Sequence, residues 1–331
     1  MREHGAAWHK QHMDRRTLLT GISLSLALPG LARARDFAAF LAALRARALA
    51  AGIPPAIVAQ TTRHLVPNAD ILKLDHHQAE FTETWVEYSS HVLSHARLQA
   101  GAAKAAESRN LLAAVTSRFG VGAEPLLGIW GIETNYGANQ GGFGVIDALT
   151  TLAWDRNSAF FGGQAIDAMR IVASGAVPAS QLIGSYAGAM GQPQFMPGVY
   201  LSTAISFSGN GHPDIWHSDA DTLASMANYL RKYGWQPELP SSEPVFAPGL
   251  DPAQTGRDVV RSLADWRRAG VQRLPGAQAL PGNTRAAVLL PDGAGGEAFL
   301  IYANFQVIRR YNASDFYALA VGALGRTVLS A

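Results

Sequence analysis

The chain has 331 residues, 48% of them hydrophobic and 16% charged, with a formal net charge of +2. It is long enough to bury a large core and to form more than one compact lobe. Residues 1–34 hold five of its 27 basic and two of its 25 acidic side chains, which leaves 22 basic against 23 acidic side chains and a net charge of −1. A nucleic-acid-binding surface needs clustered basic residues, and this composition argues against one.

The first 34 residues have the pattern of an export signal peptide. Arg15 and Arg16 precede a short apolar run, Leu18–Leu28, and a small-residue cleavage pattern follows at residues 32–34. The adjacent arginines favour the bacterial twin-arginine route, with the general secretory route as the alternative. The sequence contains no cysteine, so it offers no thiol for a disulfide or a lipid anchor. We therefore expect a soluble periplasmic protein without a stable membrane anchor.

Most of the remaining chain shows helical periodicity bounded by Gly or Pro. The predicted helices are Asp36–Ala51, Pro54–Arg63, Phe81–Ala106 with a break at Gly101, Leu111–Phe119, Pro125–Tyr136, Gly163–Ser174, Asp221–Lys232 and Ser314–Leu329. Prolines recur from Pro237 to about Ala303, where the short runs Ala286–Leu290 and Ala298–Tyr302 indicate strands and Val259–Ala269 a short helix.

This distribution predicts a mainly α (α+β) protein with three parts. We place a helical lobe at residues 35–115, joined by the C-terminal helix at 311–331, and a helical core at residues 116–236. A small β-containing domain follows at residues 237–308.

One acidic residue, Glu133, lies in the apolar segment LLGIWGIETNYG. Glu133 and the apolar residues Leu126, Ile129 and Trp130 have the spacing of a single helix face. Because these apolar side chains must contact a core, the same side of the helix is expected to be buried. We expect this helix to end at Gly137, so that burial and the helix dipole both raise the pKa of the carboxyl group. A carboxyl that stays protonated near neutral pH is what a glycosidase needs to protonate a leaving group. A structural glutamate held by the backbone or by an arginine is the alternative.

No second carboxylate lies close to Glu133 in the sequence. Between Glu107 and Glu238 the only other glutamate is Glu124, at the start of the same predicted helix. Retaining and inverting glycosidases ordinarily use two carboxylates. If the fold brings no partner near, one residue must act first as acid and then as base, with a group of the sugar in place of the second carboxylate.

A second segment, GSYAGAMGQPQFMPGVY at residues 184–200, combines small residues with neutral polar groups. Its glycines and alanines let a ligand approach the backbone closely. Ser185, Gln192 and Gln194 offer neutral donors and acceptors beside aromatic faces, as carbohydrate hydroxyl and N-acetyl groups require. A glycine-rich structural turn is the alternative.

The segments GIWGIETNYG and SYAGAMGQPQFMP resemble the lytic murein transglycosylase B family, and the likeness extends to SGNGHPDIW, ANYLRKYGW and NFQVIRRYN. It covers nearly all of the chain after the signal. The resemblance implies a lysozyme-like helical core, beside which stand the helical lobe and the β-containing appendage. It also implies an enzyme of cell-wall turnover, a lytic transglycosylase that acts on peptidoglycan glycan strands.

By this resemblance Glu133 is the catalytic acid/base. The family cleaves the bond between N-acetylmuramic acid (MurNAc) and N-acetylglucosamine (GlcNAc) without water, so that the C6 hydroxyl of MurNAc attacks C1 and leaves a 1,6-anhydro ring. The N-acetyl group of the substrate stabilises the positive centre, and no cofactor or metal is expected. The alternatives are a hydrolytic muramidase acting on the same bond and a glycan-binding protein without activity. Cell-wall synthesis or division machinery is the candidate partner besides the glycan.

Further substrate-binding positions are carried over from the family one residue at a time. They are Ser185, Met190, Gln194, Tyr229, Tyr311, Asn312, Tyr317 and Tyr88. For each tyrosine, core packing with a satisfied hydroxyl is the alternative. For Asn312 the alternative to a place beside the Glu133 carboxyl is capping of the final helix.

Two positions depart from the family pattern. Some members carry paired arginines where this chain has Arg156 followed by Asn157, so a weaker hold on acidic groups of the substrate is expected. Some members also have a calcium loop, in which this chain has Ser206 and Asn210 in place of aspartates and Asp221 displaced by one residue. Because calcium sites depend on carboxylates, we expect weak or no calcium binding.

Overall fold

The computed structural model describes residues 29–77, 83–209 and 211–331. The predicted signal peptide lies outside these ranges except for residues 29–34, whose backbone begins the first helix. The helices are α1 Pro29–Ala50, α2 Pro55–Thr62, α3 Ala69–His76, α4 Trp85–Val92, α5 His95–Glu107, α6 Arg109–Phe119, α7 Ala123–Thr134, α8 Val145–Asp155, α9 Ala159–Ala173, α10 Pro197–Thr203, α11 Asp219–Lys232, α12 Leu263–Arg268, α13 Ala303–Tyr311 and α14 Asp315–Ser330. Every helix of the described ranges is too short or too polar to cross a bilayer.

The strands form two antiparallel sheets. The first pairs β1 Phe143–Gly144 with β2 Ile183–Gly184. The second has the order β4-β6-β7-β3-β5, and its strands are β3 Ser242–Phe246, β4 Arg261–Ser262, β5 Gln272–Arg273, β6 Arg285–Leu289 and β7 Ala298–Ile301. This second sheet and α12, residues 242–301, are called the β appendage below. A separate hydrophobic cluster that includes Trp266, Val288 and Leu300 forms its interior.

The structure confirms most of the predicted elements and corrects others. The predicted helix break at Gly101 is wrong, because Gly101 lies inside α5 and the chain turns at residues 93–94 instead. A Cβ atom at Gly101 would lie 2.3 Å from the hydroxyl of Tyr136, so this glycine permits a close contact and does not end the helix. Helices α3, α8, α10 and α13 were not predicted from the sequence.

The main hydrophobic core is shared by α1, α7, α9, α11 and α14. It therefore extends across the predicted boundary between lobe and core at residue 116, and these boundaries stay a prediction. Helix α14 packs along α7 and also contacts α4 and α5.

Two glycines bring the backbones of α7 and α14 together. A Cβ atom at Gly128 of α7 would lie 2.0 Å from the carbonyl oxygen of Val321, and one at Gly325 of α14 would lie 2.0 Å from that of Glu124. Both clashes are with backbone, which cannot move aside as a flexible side chain can. The distance between the two helices is thus fixed by the absence of side chains at these positions.

We predict that Gly128→Ala lowers the free energy of unfolding by about 1–3 kcal/mol, because the added methyl group must push α14 away from α7. The matched control is Gly163→Ala in α9, where an added Cβ meets no atom within 4 Å. That change should stabilise the helix by about 0.5–1 kcal/mol, since it only removes glycine's conformational freedom. Chemical denaturation measures both values, and equal effects of the two substitutions would contradict the packing argument.

Candidate active site

Glu133 lies in the last turn of α7. Leu126, Ile129 and Trp130 on the same helix face are fully buried, as their spacing predicted, and the Glu133 side chain is half-buried. The helix ends at Asn135, which adopts the left-handed conformation with φ 49°, so the prediction that Gly137 ends it is wrong. Asparagine is one of the few non-glycine residues that adopts this conformation readily.

A tyrosine from the C-terminal helix contacts the carboxyl group. The Tyr317 hydroxyl donates a hydrogen bond of 2.6 Å to Glu133 Oε1. Burial raises the pKa of Glu133 from its ordinary value of 4.5 to about 7, and the Tyr317 hydrogen bond opposes part of this shift. No aspartate or glutamate of the described residues is among the groups that shift this pKa. Among the described residues, the half-buried Glu133 thus has no carboxylate partner.

Two further tyrosines face the same carboxyl. Burial raises the pKa of Tyr88 in α4 and of Tyr311 at the end of α13, and the charge of Glu133 raises both further. Tyr88, Tyr311 and Tyr317 therefore come together around Glu133 from three helices. All three are neutral near pH 7, so they surround the carboxyl without adding a charge.

Aromatic contacts connect this group to the loop at residues 184–200. Tyr311 packs against Tyr229 and Phe195, with ring centroids 4.9 and 5.7 Å apart. The Tyr311 hydroxyl donates to the carbonyl of Pro193, and the Tyr229 hydroxyl donates to the carbonyl of Arg310 at 2.7 Å. Both hydroxyl protons are thus used by the main chain, and each ring is fixed in place.

The loop itself is a compact backbone turn. Met190 is fully buried and exchanges two backbone hydrogen bonds with Phe195. Ser185 Oγ accepts from the amide of Ala189 at 3.0 Å. Gln194 has φ 51° and donates from Nε2 to the carbonyls of Gly191 and Gln140. In this turn Ser185 and Gln194 are half-buried, whereas Met190 lies in the interior.

Gln192 joins this loop to α7, a role that the sequence did not predict. Its Oε1 accepts from Trp130 Nε1 at 2.7 Å, and its Nε2 donates to Asp219 Oδ1 at 3.1 Å. Its carbonyl accepts from Thr134 Oγ1 at 2.9 Å. A buried polar side chain with this many partners fixes one arrangement of the two segments. The available signal was a glutamine placed between Gly191 and Pro193, two positions before Gln194.

Two predicted site residues are not joined to Glu133. The Arg156 guanidinium pairs with both carboxylate oxygens of Asp75 in α3 and lies over the Phe161 ring. Asn312 is exposed, and its Oδ1 accepts from the amide of Ser314 at 3.0 Å. The N-terminal cap of α14 is Ser314 itself. The role of both residues in substrate binding stays a prediction.

Two groups of acidic residues in the described ranges are already engaged by other partners in a way that leaves little room for a metal ion. Asp75, His76 and Asp155 lie close together, but Asp75 is paired with Arg156 and His76 with Asp155. In the loop predicted to match the family's calcium loop, the two carboxylate oxygens of Asp221 accept hydrogen bonds from the amides of Phe207 and Asp214, each at 2.8 Å. The Asp221 carboxylate, which would have to ligate calcium, is thus already hydrogen-bonded to two backbone amides. The described residues of this loop therefore do not fit that ion.

The chain matches the sequence profile of the transglycosylase SLT domain over residues 36–326. It belongs to that family. Over 249 residues it is 32% identical to the membrane-bound lytic murein transglycosylase B of Escherichia coli (strain K12), covering 74% of this chain and 67% of the relative. The predicted family and enzyme class are therefore confirmed.

Solved structures of a lytic transglycosylase are similar to this one. SltB3 from Pseudomonas aeruginosa in complex with NAG-NAM-pentapeptide has a TM-score of 0.84 and 38% identity, covering 89% of this chain and 80% of that one. The same protein in complex with NAG-anhNAM-pentapeptide has a TM-score of 0.82 and 39% identity, covering 87% and 78%. The predicted mainly α (α+β), lysozyme-like fold of this transglycosylase is confirmed.

We predict that Tyr317→Phe raises the pKa of Glu133 above about 7, because the lost hydrogen bond had favoured the charged form. NMR titration of the carbon-labelled Glu133 carboxyl measures this pKa directly. Tyr200→Phe is the control, since the Tyr200 hydroxyl donates to the main-chain carbonyl of Pro213 and the charges that act on it are those of Asp214 and Asp221, not that of Glu133. An unchanged or lower Glu133 pKa in Tyr317→Phe would contradict the assignment.

Proposed function

We propose that this transglycosylase cleaves the β-1,4 bond between MurNAc and GlcNAc in peptidoglycan glycan strands, and that Glu133 is its only acid/base. The observation that carries the proposal is the half-buried Glu133, whose carboxyl group has a pKa raised to about 7 by burial and has no carboxylate among the described groups that shift it. The two SltB3 complexes support the substrate class, since their ligands are a NAG-NAM and a NAG-anhNAM pentapeptide.

The reaction begins with proton transfer from Glu133 to the glycosidic oxygen. A pKa of about 7 keeps a large fraction of the carboxyl protonated near neutral pH. The C1–O bond then breaks, GlcNAc leaves with the proton, and the positive centre at C1 is stabilised by the N-acetyl group of MurNAc. Glu133 is left as a carboxylate.

The second step closes the ring and restores the acid. The Glu133 carboxylate takes the proton of the MurNAc C6 hydroxyl while the oxygen of that hydroxyl attacks C1, which gives the 1,6-anhydro product. The proton from the C6 hydroxyl leaves Glu133 protonated again, and no water is consumed. One carboxyl therefore serves both steps, and the second carboxylate of ordinary glycosidases is not needed.

The tyrosines around Glu133 take different roles in this proposal. Tyr317 orients the carboxyl through its hydrogen bond to Oε1. Tyr229 and Tyr311 use their hydroxyl protons on main-chain carbonyls, so they form the cleft wall with their rings. Tyr88 lies close enough to sense the charge of Glu133, and we assign it to the substrate side of the carboxyl.

The remaining predicted residues line the glycan in this proposal. Ser185, Met190 and Gln194 belong to the turn that Gln192 fastens to α7, and neutral polar groups there suit hydroxyl and N-acetyl groups. Export by the twin-arginine route, action in the periplasm and a partnership with cell-wall machinery are further parts of the proposal, consistent with a peptidoglycan substrate.

We predict that Glu133→Gln abolishes release of muropeptides, with a loss of at least about 100-fold, because the group that donates and accepts the proton is gone. The matched control is Glu124→Gln on the same helix, whose carboxyl pairs with Arg326. It should retain activity. Digestion of purified sacculi followed by mass spectrometry measures both, and near-normal turnover by folded Glu133→Gln would end the assignment.

Glu133→Gln should also change how stability depends on pH. The folded-state pKa of about 7 exceeds the ordinary value of 4.5, so the folded protein loses stability as the pH rises from 4.5 through 7 and the buried group becomes charged. The amide cannot ionise. The melting temperature of the variant should therefore rise relative to that of the wild type as the pH increases from 5 to 8. A difference in melting temperature that does not change with pH would contradict the raised pKa.

Products formed in water enriched in heavy oxygen separate the proposed reaction from hydrolysis. If the C6 hydroxyl is the nucleophile, the products end in 1,6-anhydro-MurNAc and carry no label. A hydrolytic muramidase would place the label on the reducing end. Labelled reducing ends as the main product would make the enzyme a hydrolase and leave Glu133 with only the first of its two steps.

A further inference from the structure

Helix α4, which carries Tyr88 to the carboxyl, is held at its N-terminus by the β appendage. The carboxylate of Asp292, in the turn between β6 and β7, accepts from the amides of Trp85 at 2.6 Å and Val86 at 3.2 Å. These residues are separated by more than 200 positions in the sequence. The contact is therefore a tertiary link between the appendage and the helix.

Trp85 strengthens the same link with its side chain. Its indole Nε1 donates to the carboxylate of Glu297, at the end of the β6–β7 turn. Its ring is 1% exposed and packs edge-on against Phe299 of β7, with centroids 5.4 Å apart. One residue of α4 thus combines a backbone bond, an indole bond and an aromatic contact, all to the same hairpin.

From Trp85 the packing continues to the reacting carboxyl. Phe316 lies 5.8 Å from the Trp85 ring and 5.8 Å from the Tyr88 ring, measured between centroids. It immediately precedes Tyr317, which donates to Glu133. A shift of α4 therefore moves Tyr88 directly.

The helix does not need Asp292 in order to form. Thr84 and Glu87 already make a complete capping box: Thr84 Oγ1 accepts from the Glu87 amide, and the Glu87 carboxylate accepts from the Thr84 amide. Such a box satisfies the start of a helix locally. The additional carboxylate from the appendage consequently determines where α4 lies and not whether it is helical.

The appendage is itself anchored to the core, so it can serve as a support. Asn304 of α13 joins the two chain segments that flank the appendage, and this junction is called its base. Its fully buried side chain accepts from the amide of Gln236 and donates to the carbonyls of Gln236 and Leu239. Arg326 of α14 donates to the carbonyl of Ser242 in β3 and to Glu124 of α7. The base of the appendage is thus fixed to the helices that carry Glu133 and Tyr317.

We propose that the β6–β7 turn positions Tyr88 in the active site, with Asp292 and Glu297 holding α4 against the cleft. This inference rests on the proposed function, since it treats Tyr88 as a cleft residue, and it assigns a role in the reaction to the β appendage. Asp292 and Glu297 are positioning residues, because neither touches Glu133.

The first test compares substitutions at Asp292 in the full chain. Asp292→Ala should lower kcat/KM on glycan strands about tenfold, because a small displacement of a positioned group has a large effect on rate. Asp292→Asn keeps one oxygen that can accept from the Trp85 amide but places an NH2 group, which cannot accept, where the second oxygen accepted from Val86. Its kcat/KM should therefore lie between that of Asp292→Ala and that of the wild type. Asp258→Ala, which removes an exposed carboxylate from the same appendage, is the control. Melting temperatures confirm that each variant is folded at the assay temperature.

A double-mutant cycle tests whether Asp292 affects the reaction through Tyr88. If Asp292 acts through Tyr88, adding Asp292→Ala to Tyr88→Phe should lower kcat/KM much less than it does in the wild type. Effects that multiply independently, or an Asp292→Ala enzyme as active as Asp258→Ala, would overturn the inference. Failure of the proposed function is distinguishable, because the wild-type chain would then release no anhydro-muropeptides at all.

Discussion

The direct contact between the backbones of α7 and α14 determines how Tyr317 meets Glu133. Gly128 and Gly325 let each helix approach a carbonyl of the other, and Ser314 fixes the start of α14 by accepting the Tyr317 amide. The Tyr317 hydroxyl consequently reaches Glu133 although the two residues lie 184 positions apart. A wider separation of the helices would admit water between them, and the carboxyl would lose both its hydrogen bond and the burial that raises its pKa.

The neutral surroundings of Glu133 matter as much as its burial. A nearby arginine would lower the pKa of the carboxyl, and a nearby carboxylate would raise it further. Tyr88, Tyr311 and Tyr317 are neutral, so burial raises the pKa to about 7 and the Tyr317 hydrogen bond opposes only part of this rise. An acid that must both give and take a proton in one turnover works best with a pKa near the working pH. In the proposed reaction the tyrosines supply orientation without adding a charge.

The sequence predicted the parts of the site that are encoded locally. The buried face of α7 followed from the spacing of Leu126, Ile129 and Trp130, because helical periodicity is a property of a short segment. Tyr311 and Tyr317 came only from the family resemblance, since no local pattern shows that α14 packs on α7. The same limit explains the error at Gly101, where the glycine accommodates Tyr136, and the failure to foresee Asp292 on Trp85. Each depends on a contact between segments distant in sequence.

The distribution of hydrogen bonds separates side chains that shape the cleft from those that remain available to a ligand. Tyr229 and Tyr311 donate to carbonyls of Arg310 and Pro193, and a buried phenol that gave up such a bond for substrate would leave a carbonyl unsatisfied. Their contribution is therefore the position of a ring. Gln192 is committed in the same way by its bonds to Trp130 and Asp219. The proposed reaction therefore assigns the chemical steps to Glu133 alone and assigns to the surrounding polar groups the task of holding it and the glycan in a single arrangement.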